Sequence, residues 1–207
     1  RNGKEFGYAN EQQQSAIVEI GGWLKDKTST IREYVLEGRG GTGKTTVLQK
    51  IIEDAGLSPS QVKYTATTNK AKAVLAKATG QRASTIWTAL GIVPADENNT
   101  KEGINDTLEE IEDLDIDNLE GVELIVIDEA SMIGENMLEK ILQKIEGRGI
   151  KVLYLGDSAQ LPPIRSAKEA LKVVASAIFG KYANSPVFNE AEYPNRVKLL
   201  TSMRQVG

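Results

Sequence analysis

The sequence predicts a doubly wound α/β domain built on a parallel sheet. Strand-like and amphipathic helix-like segments alternate along the chain, the pattern of repeated βα units. Two strand-like segments, Val122–Ile127 and Ile150–Leu155, run without a charged residue from Leu124 and Val152 onward, as expected of central parallel strands covered on both faces. A glycine-rich stretch, Gly38–Thr45, joins a strand-like run to a helix-like one, where open α/β sheets place their ligand-binding loops.

Glu11–Leu24 carries Ala16, Ile17, Ile20 and Leu24 at helical spacing, with Asn10 at its N-cap position. Arg32–Glu37, containing Val35 and Leu36, is the first strand. Residues 43–55 form a helix with Val47, Leu48, Ile51 and Ile52 on one face. Val62–Ala66 is a strand, Asn69–Thr79 a helix stopped by Gly80, and Thr85–Leu90 a short helix. The apolar strand Val122–Ile127 follows. The helix Glu135–Ile145, the strand Ile150–Leu155, a helix at Leu171–Phe179 and a last strand at Val197–Leu200 complete the order.

A chain of 207 residues can bury one sizeable core. Its 40% hydrophobic and 26% charged residues fit an ordinary soluble domain. No apolar run approaches the ~18 residues of a membrane span, and no signal-peptide pattern opens the sequence, so no membrane partner and a cytoplasmic location are expected. The chain begins at Arg1 rather than Met, as a piece of a longer protein would. It contains neither Cys nor His. That excludes disulfides, thiolate zinc sites, His-ligated metals and His acid–base catalysis. Chemistry falls to carboxylates, Lys, Arg and a hard cation.

The net charge of −4 hides an asymmetry. Residues 95–121 hold eleven Asp or Glu and one Lys, a local −10; the remaining 24 basic and 18 acidic groups stand at +6. An acidic total therefore does not argue against a nucleic-acid partner. The acidic stretch, with Asn98, Asn99, Gly103 and Asn118, reads as an exposed insertion between two core elements, a solvated loop being the simplest form of it.

Gly38–Thr45 reads Gly-Arg-Gly-Gly-Thr-Gly-Lys-Thr, the G-x-x-x-x-G-K-[ST] pattern of a phosphate-binding loop. Gly38, Gly40, Gly41 and Gly43 let the backbone curl and turn its N–H groups, with those of Thr42, Thr45 and Thr46, toward one anion. The helix behind them points its positive end at the same place. Lys44 reaches the β and γ phosphates of a nucleotide, and the Thr45 hydroxyl ligates Mg²⁺.

Leu124-Ile-Val-Ile-Asp128-Glu129-Ala-Ser131 ends a buried strand in two carboxylates. Asp128 can hold the Mg²⁺ shell and Glu129 can polarise a water; a hydrolase without His needs such a base. The alternative is an acidic N-cap for the next helix. Leu155-Gly156-Asp157-Ser-Ala-Gln160-Leu-Pro-Pro-Ile164 follows a second buried strand. Gln160 there can sense a γ-phosphate, or the segment is a proline-stiffened turn.

These three motifs, in this order, resemble motifs I, II and III of superfamily-one helicases, in particular the 5′→3′ branch of RecD-like and phage Dda-like enzymes. Asn10–Ile17 is similar to the family's adenine-reading Q motif, with Gln13 at the Gln position. Ala66–Ala71 looks like motif Ia, which contacts DNA, and gives Thr68, Asn69 and Lys70 as strand-binding residues; Lys70 read alone is an ordinary solvated lysine. Ala83–Trp87 resembles motif Ib. The resemblance implies Thr85 and Trp87 as nucleic-acid contacts. Trp87 stands where the branch has His, and either stacks on a base or fills the core. Thr67 replaces a family Pro, a minor departure. Leu199–Gln205 looks like motif IV, whose Arg204 reaches the γ-phosphate.

The resemblance implies a RecA-like ATPase domain over residues 1–207. It implies ATP and Mg²⁺ as cofactors, single-stranded DNA as partner with RNA as the alternative, and a bacterial or phage-infected cell as setting. It also implies a second RecA-like domain outside this chain, so this piece alone is expected to bind nucleotide weakly and unwind little. Residues 94–121 fall where the family inserts a subdomain bearing a strand-separating pin. Their acidity does not suit a segment beside DNA.

Overall fold

The structure, a computed structural model, describes residues 11–40, 42–94, 111–113, 117–157, 187 and 194–199. In chain order the elements are α1 (Glu11–Lys25), β1 (Glu33–Gly38), α2 (Lys44–Asp54), β2 (Val62–Ala66), α3 (Asn69–Thr79), β3 (Ala83–Thr85) and α4 (Ile86–Leu90). They continue with β4 (Ile92–Pro94), β5 (Ile111–Asp113), β6 (Leu124–Asp128), α5 (Glu135–Ile145), β7 (Lys151–Gly156) and β8 (Arg196–Leu199). Six strands form one sheet in the order β3-β2-β6-β7-β1-β8, and every neighbouring pair is parallel.

The apolar runs explain why β6 and β7 lie inside this sheet. Side chains alternate across a strand, so a run without polar interruption needs cover on both faces. Leu124 and Val126 enter one core cluster, with Ile20 and Trp23 of α1 and Leu48 and Ile51 of α2. Ile125 and Ile127 enter the other, with Ile86 and Leu90 of α4 and Met137 and Ile141 of α5. All four β6 side chains are fully buried; at about 1.5–3 kcal/mol for each such side chain, this strand anchors the sheet. Helices thus cover both faces, as the doubly wound expectation requires.

The expected elements within the described residues are present, with ends shifted by at most two residues. Two features were not expected. β3 is three half-buried residues, Ala-Ser-Thr, too short and polar to signal a strand. β4 and β5 pair antiparallel, Ile92 opposite Asp113 and Pro94 opposite Ile111, so the acidic stretch, read as an inserted subdomain or a loop, holds one leg of a two-stranded ladder. Its return leg is fastened: Asn118 donates to the Thr88 carbonyl at 2.9 Å, and Arg148 pairs with Asp117 at 2.9 Å. Asn10 and the helix expected at Leu171–Phe179 lie outside the described residues. Among those described, no helix is long and apolar enough to cross a membrane.

Candidate active site

Parallel strands bring their carboxyl ends to one edge of a sheet. Here Gly38 of β1 is in register with Leu199 of β8, Glu37 with Gly156 of β7, and Asp128 of β6 with Ala66 of β2. The loop that starts at Gly38, the pair Asp128–Glu129 and the start of α3 follow these strand ends.

Gly38 closes β1 and must be glycine for steric reasons. A Cβ there would stand 2.5 Å from Thr42 Oγ1 and 3.1 Å from Leu199 Cβ. The loop folds back tightly: Thr42 donates from its N–H (3.2 Å) and its hydroxyl (2.7 Å) to the Arg39 carbonyl. Gly43 takes the left-handed conformation, φ 83°, as N-cap of α2, a conformation costly to residues with a Cβ. Having no side chain, Gly43 cannot cap the helix, and the first turn carries no acidic residue. The positive end of α2 is therefore not offset by its own side chains. Gly40 has no atom within 4 Å of a Cβ built on it, and Gly41 lies outside the described residues. Thr45 is half-buried and Thr46 exposed in the first turn of α2.

Lys44 arches back over the loop, donating from Nζ to the Gly38 carbonyl and, at 3.3 Å, to that of Arg39. Burial lowers its pKa, and the negative charges of Asp128, Asp157 and Glu129 oppose that shift. Burial likewise raises the Asp128 pKa against the Glu129 N–H, which donates to Asp128 Oδ1 at 2.8 Å, and against Lys44. Glu129 is pushed up first by burial and next by Asp128; Lys44 counteracts, and Asp157 adds to the rise. One cation and three carboxylates thus form a single electrostatic unit. Lys44, Asp128 and Glu129, shifted by burial and by one another, are the kind of group that marks functional sites. Glu129 is also the one non-glycine with positive φ (55°) among the described residues, a conformation costing on the order of 1 kcal/mol.

An oxygen-only donor pair, the Thr45 hydroxyl and the Asp128 carboxylate, fits Mg²⁺, which takes one or two protein oxygens and completes its shell with water and phosphate. Among the described residues no group of three or more acidic side chains could hold a metal alone, so this pair would act with substrate oxygens.

Gln13 is 4% exposed, and its Nε2 donates to the Thr42 carbonyl at 2.9 Å. The structure thus sets it against the phosphate loop. On the neighbouring strand, Thr68 N-caps α3 by accepting the Ala71 N–H at 3.1 Å, with Asn69 and Lys70 exposed beside it. Thr85 caps α4 in the same way, accepting the Thr88 N–H at 3.3 Å. The stacking reading of Trp87 is corrected: the ring is 8% exposed and packs in the core cluster with Ile86 and Leu90. Gln160 and Arg204 lie outside the described residues.

Two contributors escaped the sequence reading. Asp157, one residue past β7, acts on both Lys44 and Glu129; a carboxylate just after a buried strand was the available signal. Thr67 is 2% exposed and hydrogen-bonds the backbone of both acidic residues.

A family model described as an AAA domain matches residues 9–183. The chain belongs to the AAA domain family. The matched segment holds Gln13, the loop 38–45, Asp128, Glu129, Asp157 and Gln160, while Arg204 lies beyond it. Within this AAA domain chain, 189 residues are 28% identical to the ATP-dependent RecD2 DNA helicase of Deinococcus radiodurans, covering 88% of this chain and 23% of that protein. The ATP-dependent DNA helicase dda of Enterobacteria phage T4 is 28% identical over 163 residues, 77% of this chain and 34% of that one. Pif1 from Bacteroides sp, in complex with ADP-AlF4, matches the fold with a TM-score of 0.59 at 23% identity, over 95% of this chain and 43% of that one. Pif1 of Candida albicans matches at 0.54 with 21% identity, over 95% and 40%. The sheet and its helices are thus a RecA-like fold, and this chain spans less than half of each of these proteins.

Proposed function

We propose that this chain is the ATP-binding motor domain of a DNA helicase, coupling Mg²⁺-dependent ATP hydrolysis to movement along single-stranded DNA. The observation that carries this reading is the shared electrostatic unit of Lys44, Asp128, Glu129 and Asp157 at the carboxyl edge of the sheet. One strand away, that edge also carries the exposed start of α3. A nucleotide site and a backbone-phosphate site would thus be neighbours. The named relatives, both ATP-dependent DNA helicases, favour DNA over RNA.

In this reading the loop N–H groups and Lys44 would hold the phosphates, as charge-assisted donors do. Thr45 and Asp128 would hold Mg²⁺, which supplies positive charge between the phosphates. Glu129 would take the proton of the attacking water, and its raised pKa makes it a better base than an unshifted carboxylate. Gln13 would face the adenine side of the loop. Gln160 and Arg204 would report the γ-phosphate. Thr68, Asn69, Lys70 and Thr85 would meet the strand through its phosphates, without reading sequence. A second RecA-like domain outside this chain would close the cleft, and residues 94–121 would form an inserted element of the first domain.

The test is steady-state ATPase of the full-length protein with oligo-dT, with single-stranded RNA, and with neither, beside a forked-duplex unwinding assay. Hydrolysis stimulated by DNA and abolished by Lys44→Ala, with the fold intact by circular dichroism, is the expected result. Near wild-type hydrolysis in Lys44→Ala would remove the site assignment.

A further inference from the structure

Hydrogen bonding between the segments of β2 and β6 continues past the end of β2. The Thr67 N–H donates to the Asp128 carbonyl at 3.3 Å, and the Thr67 hydroxyl donates to the Glu129 carbonyl at 3.0 Å. Two residues earlier on the same face, the fully buried Thr65 hydroxyl donates to the Val126 carbonyl at 2.7 Å. The pair of threonines stitches β2 to β6 by side chain as well as backbone. Thr67 is also 2% exposed, so water does not replace its hydroxyl bond cheaply.

Two features make this bond more than sheet-end packing. Its acceptor belongs to Glu129, whose left-handed backbone is costly and must be held by its surroundings. Its donor immediately precedes Thr68, the cap of α3, whose first residues Asn69 and Lys70 face solvent. A force on the start of α3 therefore reaches the Glu129 backbone through one residue.

We propose that Thr67 is a positioning residue that couples the strand-binding start of α3 to the carboxylate Glu129. The coupling rests on the helicase reading above; the positioning of Glu129 rests only on the two hydrogen bonds. A phosphate seated at Thr68–Lys70 fixes the start of α3, and the Thr67 hydroxyl transmits that order to Glu129. Hydrolysis then speeds up without any change in how nucleotide is held.

The decisive variants are Thr67→Val, which keeps the branched shape and loses the hydroxyl, and the pair Thr67→Ser and Thr67→Ala, which differ in the hydroxyl alone. In the full-length protein, kcat and KM for ATP are measured with and without oligo-dT, alongside oligo-dT affinity by anisotropy. Amide exchange of the peptide containing Glu129 is followed with and without oligo-dT. Thr67→Val and Thr67→Ala should lower DNA-stimulated kcat about tenfold, ~1.4 kcal/mol of barrier, and basal kcat less. KM and oligo-dT affinity should stay unchanged, and Thr67→Ser should restore kcat. Oligo-dT should slow exchange around Glu129 in wild type and Thr67→Ser only. Wild-type stimulation in both hydroxyl-less variants would overturn the coupling. A wild type that oligo-dT does not stimulate would instead overturn the helicase reading. Basal kcat then still decides the positioning claim, which fails if Thr67→Ala and Thr67→Ser hydrolyse at the same rate.

Discussion

The Gln13 amide nitrogen donates to the Thr42 carbonyl across 2.9 Å, tying α1 to the phosphate loop 29 residues further along the chain. Gln13 is nearly fully buried, so the bond is shielded and braces the loop at Thr42. A residue that only read adenine would matter for ATP alone. A brace matters for every ligand of the loop. Gln13→Ala should therefore weaken ATP and inorganic tripolyphosphate alike, by about 1 kcal/mol or roughly fivefold for one neutral hydrogen bond. Isothermal titration with both ligands checks this; a loss confined to ATP would leave Gln13 as an adenine contact only.

Gly38 and Gly40, two glycines of the loop, should respond differently to a methyl group. In Gly38→Ala the new methyl meets Thr42 Oγ1 and Leu199 Cβ. Leu199 belongs to β8, so the clash is shared by the loop and an edge strand. The cost should be on the order of 1–3 kcal/mol, or roughly 2–4 °C in Tm for each kcal/mol in a chain of this size. Gly40→Ala, with open space around it, should stay within about 0.5 kcal/mol of wild type. Thermal melts of both variants test the pair. Adding Thr42→Ala to Gly38→Ala should recover part of the loss, since it removes the nearer clash.

Glu129 links function to stability with a definite sign. Its folded pKa stands above the ordinary 4.5 because burial and Asp128 disfavour its charge. Protonation is thus tighter in the folded state. The associated stability is fully present below about 4.5 and is lost as pH rises through the folded value. At neutral pH the ionised group is a net cost. Glu129→Gln mimics the protonated form, so its Tm should exceed wild type at pH 7–8, and the gap should close as pH falls toward 4.5. Melting curves across pH 4.5–8 check the trend; a gap that widens toward acid would contradict the direction. The same variant should hold nucleotide while losing ~10²-fold or more in turnover.

Much of this was legible because the physics is local. Leu124–Ile127 and Val152–Leu155 announce buried strands by lacking any polar alternation. Gly80 announces the end of α3 by its capping chemistry, and that cap is present; the Thr68 cap at the other end was not read from the sequence. What stayed illegible depends on tertiary neighbours. Thr67 looked like a minor substitution in a loop. Its importance lies in Asp128 and Glu129, 61 and 62 residues away, whose carbonyls a proline could not have engaged with either donor. Trp87 was balanced between stacking and core because an indole suits both; only the packing of α4 against β6 and α5 decides it. The β4–β5 ladder was hidden because three-residue strands carry no period worth counting.

The exposed start of α3 gives the last prediction, on how a strand would be held. Thr68 Oγ1 already accepts the Ala71 N–H, so Thr68→Ala removes a helix cap worth about 1 kcal/mol along with any phosphate contact. Thr68→Ser keeps the cap and the hydroxyl and should bind as wild type. Lys70 is exposed and makes no capping contact, so its contribution should be purely electrostatic. Neutralising one phosphate contact changes the slope of log affinity against log salt by roughly 0.7 for a single strand. Lys70→Ala should lower the slope by that amount. Lys77→Ala, on the same helix but about 10 Å further along its axis in the last turn, should leave the slope unchanged. Thr68→Ala should weaken binding at every salt concentration with little change in slope. A salt titration of the full-length protein and these variants on oligo-dT separates the cases. Equal slopes for Lys70→Ala and wild type would move the strand off this end of α3, whatever the ATPase data show.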